Sequence, residues 1–185
     1  MELRIGIFGS SEIESSEVLT QAVHLGQELN EHDVLLMTGA CSGLPYAVAA
    51  AASEKQKWGF SPVANYEEQL QFTPDDDVSI YDKMIFVPET FPFSKTLSVA
   101  KKYRNVVSTA SCDGGIVIGG KWGTLNEVTN MIDMGKPVGV LVGSGGIADE
   151  VSDLVERLDP ESQELLILEG DPKKLVTKLL GEIKS

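Results

Sequence analysis

The sequence predicts a single-domain α/β protein of the Rossmann type, with a parallel sheet covered by helices on both faces. Apolar, β-branched runs alternate with helical patterns along the whole chain, as in a sheet built from strand–helix units. The runs are apolar at successive positions, as strands buried on both faces are. Three of them end in small residues and lead straight into a helix. In such sheets ligands bind beyond that carboxyl edge.

Residues 3–8 read as the first strand and 16–29 as the first helix. Residues 34–38 form the second strand, followed by an alanine-rich helix over 44–57. A short strand is expected near 60–63, then an acidic loop around Asp75–Asp77 with little regular structure. The alternation resumes with strand 84–87, helix 95–111, strand 115–118 and helix 125–134. Strand 138–142, a helix from Ile147, strand 165–168 and helix 173–183 complete it. There is no repeat or linker to divide residues 1–185, so one domain is expected.

Charge narrows the partners. With 28 acidic against 15 basic residues and a net charge of −13, the surface repels a polyanion, so no nucleic-acid partner is expected. A local nest of backbone N–H groups still holds a small anion. No window approaches the ~20 apolar residues of a membrane span. The N-terminus has no basic stretch before an apolar core, and a cytoplasmic protein is expected. Cys41 and Cys112 have no metal-ligand spacing, and His24 and His32 form no HExxH pattern. Neither a metal site nor a cofactor is expected.

The three loops are Gly9-Ser10-Ser11, Thr38-Gly39-Ala40-Cys41-Ser42-Gly43 and Gly119-Gly120-Lys121-Trp122-Gly123-Thr124. On parallel strands they share one edge. Each would offer backbone N–H groups and the positive end of a helix dipole to a phosphate. The alternative is that the glycines only make tight turns. Neither GxGxxG nor GxxxxGK[ST] is present, so NAD in its usual mode and ATP in a P-loop are unsupported.

The third loop continues through Leu125-Asn126-Glu127, and as a whole resembles the PGGxGTxxE signature of the LONELY GUY family, within the wider SLOG superfamily. Arg104 and Asp113 stand where that family carries a helical Arg and a strand-initial Asp. Gly135-Lys136-Pro137-Val138 is similar to the turn by which the family re-enters the sheet, and the two earlier loops are similar in position and type. The likeness runs from Leu3 to Val142. It implies hydrolysis of the N-glycosidic bond of a nucleoside 5′-monophosphate to free base and ribose 5-phosphate, in a homodimer or higher homo-oligomer. Arg104 and Glu127 would carry the chemistry, and the third loop would hold the phosphate. Gly119 stands where the family has Pro, and Lys121 replaces the second Gly of its pair. The superfamily also holds DNA-processing proteins, nucleotide sensors and molybdenum-cofactor carriers. A second reading is therefore a nucleotide sensor or a molybdopterin-type carrier without turnover.

Each residue has a plainer alternative. Thr124-x-x-Glu127 is also a capping box, in which both side chains satisfy helix-start donors. Arg104 would by default be a solvated helix residue, and Asp113 a turn or cap residue. Lys121 as a Schiff-base lysine lacks any supporting pyridoxal motif. Cys41 is either a thiol activated by a helix start or a small buried residue. Trp122, Phe91 and Phe93 would wall a ligand pocket or simply pack. Asp75–Asp77 would be solvated.

Overall fold

The structure, a computed structural model, describes residues 2–13 and 15–184. The strands are β1 (Leu3–Gly9), β2 (Val34–Thr38), β3 (Lys57–Phe60), β4 (Lys83–Ile85), β5 (Gly114–Ile118), β6 (Val138–Leu141) and β7 (Leu166–Glu169). The helices are α1 (Ser16–Asn30), α2 (Leu44–Ala51), α3 (Tyr66–Phe72), α4 (Leu97–Ser111), α5 (Trp122–Asp133), α6 (Ile147–Leu158) and α7 (Pro172–Ile183). All seven strands pair in parallel, in the order β4-β3-β2-β1-β5-β6-β7. This is the expected Rossmann-like α/β architecture.

Side-chain alternation along buried strands builds two cores. Ile5, Ile7, Leu36, Ile116 and Ile118 face one side, against Leu25 and Leu29 of α1, Val48 of α2 and Leu179 of α7. Phe8, Met37, Val117 and Val140 face the other, against Val128 and Met131 of α5 and Val151 of α6. Every second residue therefore enters the opposite core, which is why these strands are apolar without interruption.

Local caps explain where helices begin. Ser15 accepts from the Glu17 and Val18 N–H groups at the start of α1, and Asp171 from Lys174 at the start of α7. The sequence reading of 44–57 as one helix is too long. The chain leaves α2 at Ala52, and Leu36 N–H bonds the Gln56 carbonyl at 2.9 Å as β3 joins the sheet. β3 accordingly lies three residues before its expected place, and β4 starts one residue early. The stretch expected as loop contains α3, started by Asn65, whose side chain accepts from Glu68 N–H. The acidic run is not merely solvated. Asp77 caps a short 3-10 turn over Val78–Ile80, and Asp76 takes the Ser42 hydroxyl at 2.7 Å.

Two motif residues turn out to be structural. Asp113 lies at the amino end of β5 and pairs with Arg4 of β1 through the Arg4 backbone N–H (2.9 Å), Nε (3.2 Å) and Nη2 (2.5 Å). Lys136, in the turn before β6, donates to the carbonyls of Thr109, Ala110 and Cys112 at 2.7, 2.8 and 2.6 Å. It thereby satisfies the orphan carbonyls at the end of α4 and complements its dipole. Lys136→Met is expected to lower unfolding free energy by about 2 kcal/mol in urea titration, leaving ligand affinity unchanged.

Candidate functional site

β1 lies between β2 and β5, and the chain runs outward on one side through β4 before returning to β5 on the other. Connections leaving β1 and β5 diverge, opening a crevice at the carboxyl edge. It holds a first cleft of about 350 Å³. Gly9, Ser10 and Ser11 of the first loop and Gly39, Cys41 and Ser42 of the second form one wall. Lys101, Lys102, Arg104 and Asn105 of α4 form another, and Lys121, Gly123, Thr124 and Glu127 close it. A second cleft of about 350 Å³ adjoins it, lined by Gly119, Gly120 and the turn Gly143-Ser144-Gly145-Gly146.

Of the three helix starts expected to face a phosphate, one is open to it. At α2, Leu44 N–H donates to the Ser10 carbonyl at 2.9 Å and Pro45 has no N–H to give. Gly43 is buried against the first loop, where a Cβ would overlap Ser10 and Ser11. The helix after β1 begins only at Ser16 and is capped by Ser15. At α5, the first-turn N–H groups of Trp122, Gly123 and Thr124 have no carbonyl one turn back. Lys121 makes no side-chain cap there. The capping-box alternative fails for the same reason: α5 starts at Trp122, so Thr124 and Glu127 lie inside the helix.

Glu127 instead lies within the cleft wall at 6% exposure, beside Arg104 at 8%. Arg104 Nη1 is 3.6 Å from Glu127 Oε1, and Nη2 donates to Cys41 Sγ at 3.5 Å. Burial pushes the Glu127 carboxyl up to about 7, against the pull of Arg104 and Lys102. Gly39 makes room for this pair, since a Cβ there would overlap the Arg104 guanidinium. Gly39→Ala is therefore expected to swing Arg104 away from Glu127. With the guanidinium displaced, burial acts on the Glu127 carboxyl without its main opposing charge, and an NMR titration should find it higher than in the wild type. Stability should change by under about 1 kcal/mol, because a flexible side-chain end does the moving.

Charge is concentrated here against the protein's overall sign. In a chain of net charge −13, Lys101, Lys102, Arg104 and Lys121 converge on the first cleft, opposed by Glu12 and Glu127. Lys121 pairs with Glu12 at 2.8 Å across the mouth, which holds the Glu12 carboxyl below its ordinary range. With φ of −125°, Lys121 sits in extended backbone open to any residue, so loss of the signature's second Gly strains nothing. Gly119 has φ of +57° and donates its N–H to Ser144 Oγ at 2.8 Å. Gly120 has φ of +99°, and a Cβ there would overlap the Thr124 side chain.

Three expected site residues do not line either cleft. Thr38 is fully buried beneath the second loop, its hydroxyl paired with Tyr81 at 2.9 Å and accepting from Ala40 N–H at 3.1 Å. Gly43 is the second, and Trp122 the third, its side chain turned to solvent at 80% exposure. Phe91 stacks on Tyr103 at 4.6 Å and meets Phe93 edge-on, outside the clefts. Cys41 lines the first cleft with its thiol donating to the Gly39 carbonyl at 3.4 Å. Sequence reasoning missed Lys101, Lys102, Asn105 and the Gly143–Gly146 turn. The turn carries the same strand-then-glycine signal as the others. Among the described residues, no group of three or more His, Cys, Asp or Glu could hold a metal, and no helix is long and apolar enough to cross a membrane.

The fold recurs in solved structures. TM1055 superposes with a TM-score of 0.75 at 18% identity, over 97% of this chain and 99% of that one. The molybdenum cofactor binding protein of the phototrophic bacterium Rippkaea orientalis gives 0.73 at 22%, over 100% and 99%. DNA processing protein A of Streptococcus pneumoniae gives 0.68 at 19%, over 96% of this chain and 62% of that one. No curated protein matches the sequence. A parallel sheet with glycine-rich loops at its carboxyl edge, and a family model matching residues 2–176, together place the chain: it belongs to the SLOG cluster4 family.

Proposed function

We propose that the first cleft binds a phosphate-bearing nucleotide and hydrolyses its N-glycosidic bond, releasing free base and a sugar phosphate. The observation that carries this is the buried Arg104–Glu127 pair facing an anion-attracting cleft. The phosphate would lie on the first-turn N–H groups of α5, with Lys121 and Lys102 adding charge. Glu127, ionised, would face the sugar as it gains oxocarbenium character or orient the attacking water, as carboxylates do in glycosyl transfer. Arg104 holds that carboxylate in place and neutralises it in the resting site. A DNA-processing role fits poorly with a net charge of −13. The homodimer implied by the LONELY GUY likeness belongs to the same reading. Val99 and Val106, exposed on α4, and Trp122 give it apolar surface to bury.

A second reading has its own observation. The φ of +57° at Gly119 is one that proline, the signature residue, does not adopt, so the loop departs from the hydrolase pattern. This favours binding without turnover, of a nucleotide or of a phosphate-bearing cofactor such as molybdopterin. One experiment tests both. AMP and GMP are expected to raise the melting temperature, their nucleosides far less, and a panel of monophosphates should yield free base and ribose 5-phosphate. Equal stabilisation by adenosine and AMP would remove the phosphate cradle. Binding with no base released from any substrate would leave the carrier.

A further inference from the structure

The two thiols stand at opposite edges of the sheet. Cys41 follows β2 at the carboxyl edge and lines the first cleft, half-buried. Cys112 precedes β5 at the amino edge, is fully buried, and burial pushes its thiol up to about 11. The length of the strands separates the two by more than the roughly 7 Å between Cα atoms that a disulfide tolerates. Cys41 therefore has no second thiol of its own chain within reach.

What faces Cys41 is Arg104. An arginine grips oxygen acceptors with Nε and Nη2, which lie along one edge of the guanidinium. Arg4 does so in this chain, with both nitrogens on the Asp113 carboxylate. In Arg104 the same edge is turned to Cys41. Its Nη2 donates to Sγ, a weak acceptor, at 3.5 Å, and its Nε is buried with no partner among the described residues. The remaining nitrogen, Nη1, is the one beside Glu127. A buried cation with an unpaired N–H is costly to keep, and it marks the place of an acceptor that the resting side chains do not supply. An oxygen carried by the Cys41 sulfur would lie on that edge.

We propose that Cys41 is a site of oxidation by hydroperoxides, and that its sulfenic acid is held on the Nε–Nη2 edge of Arg104. The sulfur attacks the near oxygen of the peroxide, so that an S–O bond forms as the O–O bond breaks. Sulfur loses two electrons and the departing oxygen gains them. The thiol proton leaves with that oxygen, as water from hydrogen peroxide or as an alcohol from an organic hydroperoxide. The guanidinium edge acts twice, on the charge gathering at the peroxide oxygens and then on the oxygen left on sulfur. With no second thiol in reach, the product does not pass on to an intramolecular disulfide. The new oxygen lies in the cleft wall beside Arg104 and Glu127, so oxidation acts on the site itself, whatever the cleft binds.

Hydrogen peroxide in small excess, with dimedone present to trap sulfenic acid, tests this on the folded protein by peptide mass spectrometry. Dimedone is expected on Cys41 and not on Cys112. The Cys41 thiol should be lost at least about tenfold faster than in the chain unfolded in urea, where Arg104 no longer faces it. Alkylation by iodoacetamide measures the access and reactivity of the same thiol without placing an oxygen on the sulfur. Arg104→Lys keeps the charge and removes the two-nitrogen edge. It should lower the ratio of peroxide to alkylation rates at least about fivefold. Gly39→Ala, whose Cβ displaces the guanidinium, should do the same. Reaction of Cys112 in Arg104→Lys marks an unfolded variant, and Gly39→Ala then decides. No dimedone on Cys41, a rate equal to that of the unfolded chain, or an unchanged ratio in the folded variants overturns the proposal.

Discussion

Glu127→Gln is expected to lower turnover by about 100-fold or more with ligand affinity nearly retained, as for loss of one preorganised electrostatic group. The amide keeps the shape of the side chain and removes the charge that, in the proposed hydrolysis, would face the developing cation. The proposed hydrolysis uses the ionised form, and burial holds the carboxyl up at about 7, so kcat/KM of the wild type should rise with pH through that value and level off above it. Stability should move the opposite way. A carboxyl raised from its ordinary value to about 7 in the folded protein favours folding below the lower value, and that contribution is lost as pH rises through the upper. Glu127→Gln does not titrate, so the variant should match the wild type near pH 4.5 and exceed it by roughly 2–3 kcal/mol at pH 8. Arg104 is already counted in this balance, since the carboxyl stays raised despite the guanidinium beside it. A variant less stable than wild type at pH 8 would mean that the pair is a structural ion pair, and the catalytic reading would lose its support.

The regular parts of the fold were legible because burial on both faces leaves a continuous signal. β1, β2, β5 and β6 are apolar at nearly every position and lie within a residue of where the pattern puts them. α3 was not legible from its apolar content, because its buried residue is Gln69, whose amide donates to the Ala40 carbonyl at 3.0 Å and to Thr73 Oγ1 at 2.9 Å. Its start was nonetheless written in Asn65-x-x-Glu68. The overlong α2 reflects the helix propensity of Glu54, Lys55, Gln56 and Lys57 after the alanine run, which the pairing of β3 with β2 overrides.

The site divides similarly. The third loop and Glu127 were visible as a motif, whereas the choice between cap and cleft needed the true start of α5. Lys101 and Arg104 are three apart and share a helix face, but only the packing of α4 against α5 directs that face into the crevice. The openness of a helix start cannot be read locally. Leu44 N–H is closed by Ser10, and the N–H groups of Ile147 and Ala148 by Gly120 and Gly119, all from distant loops.

Gly119→Pro restores the residue of the LONELY GUY signature, and it is expected to damage this protein. Two effects act together. Proline fixes φ near −65°, whereas residue 119 needs +57°. Proline also lacks the N–H that donates to Ser144 Oγ at 2.8 Å, leaving a buried hydroxyl that bonds only the Leu141 carbonyl. The combined loss should be about 3 kcal/mol or more. For a chain of this size that lowers the melting temperature by roughly 6–12 °C. Gly119→Ala separates the two causes. It keeps the N–H and bears only the left-handed backbone penalty of roughly 1–2 kcal/mol, with its Cβ 3.1 Å from the Ser144 carbonyl. Scanning calorimetry of both variants should therefore rank wild type above Gly119→Ala and Gly119→Pro lowest. The damage should reach the site too, because the carbonyls of Gly119 and Gly120 hold the start of α6 at 3.2 and 2.9 Å and so fix the loop that feeds α5. A Gly119→Pro protein as stable as wild type and better at releasing base would show that the loop takes the signature's own conformation. The departure at Gly119 would then no longer favour a carrier over a hydrolase.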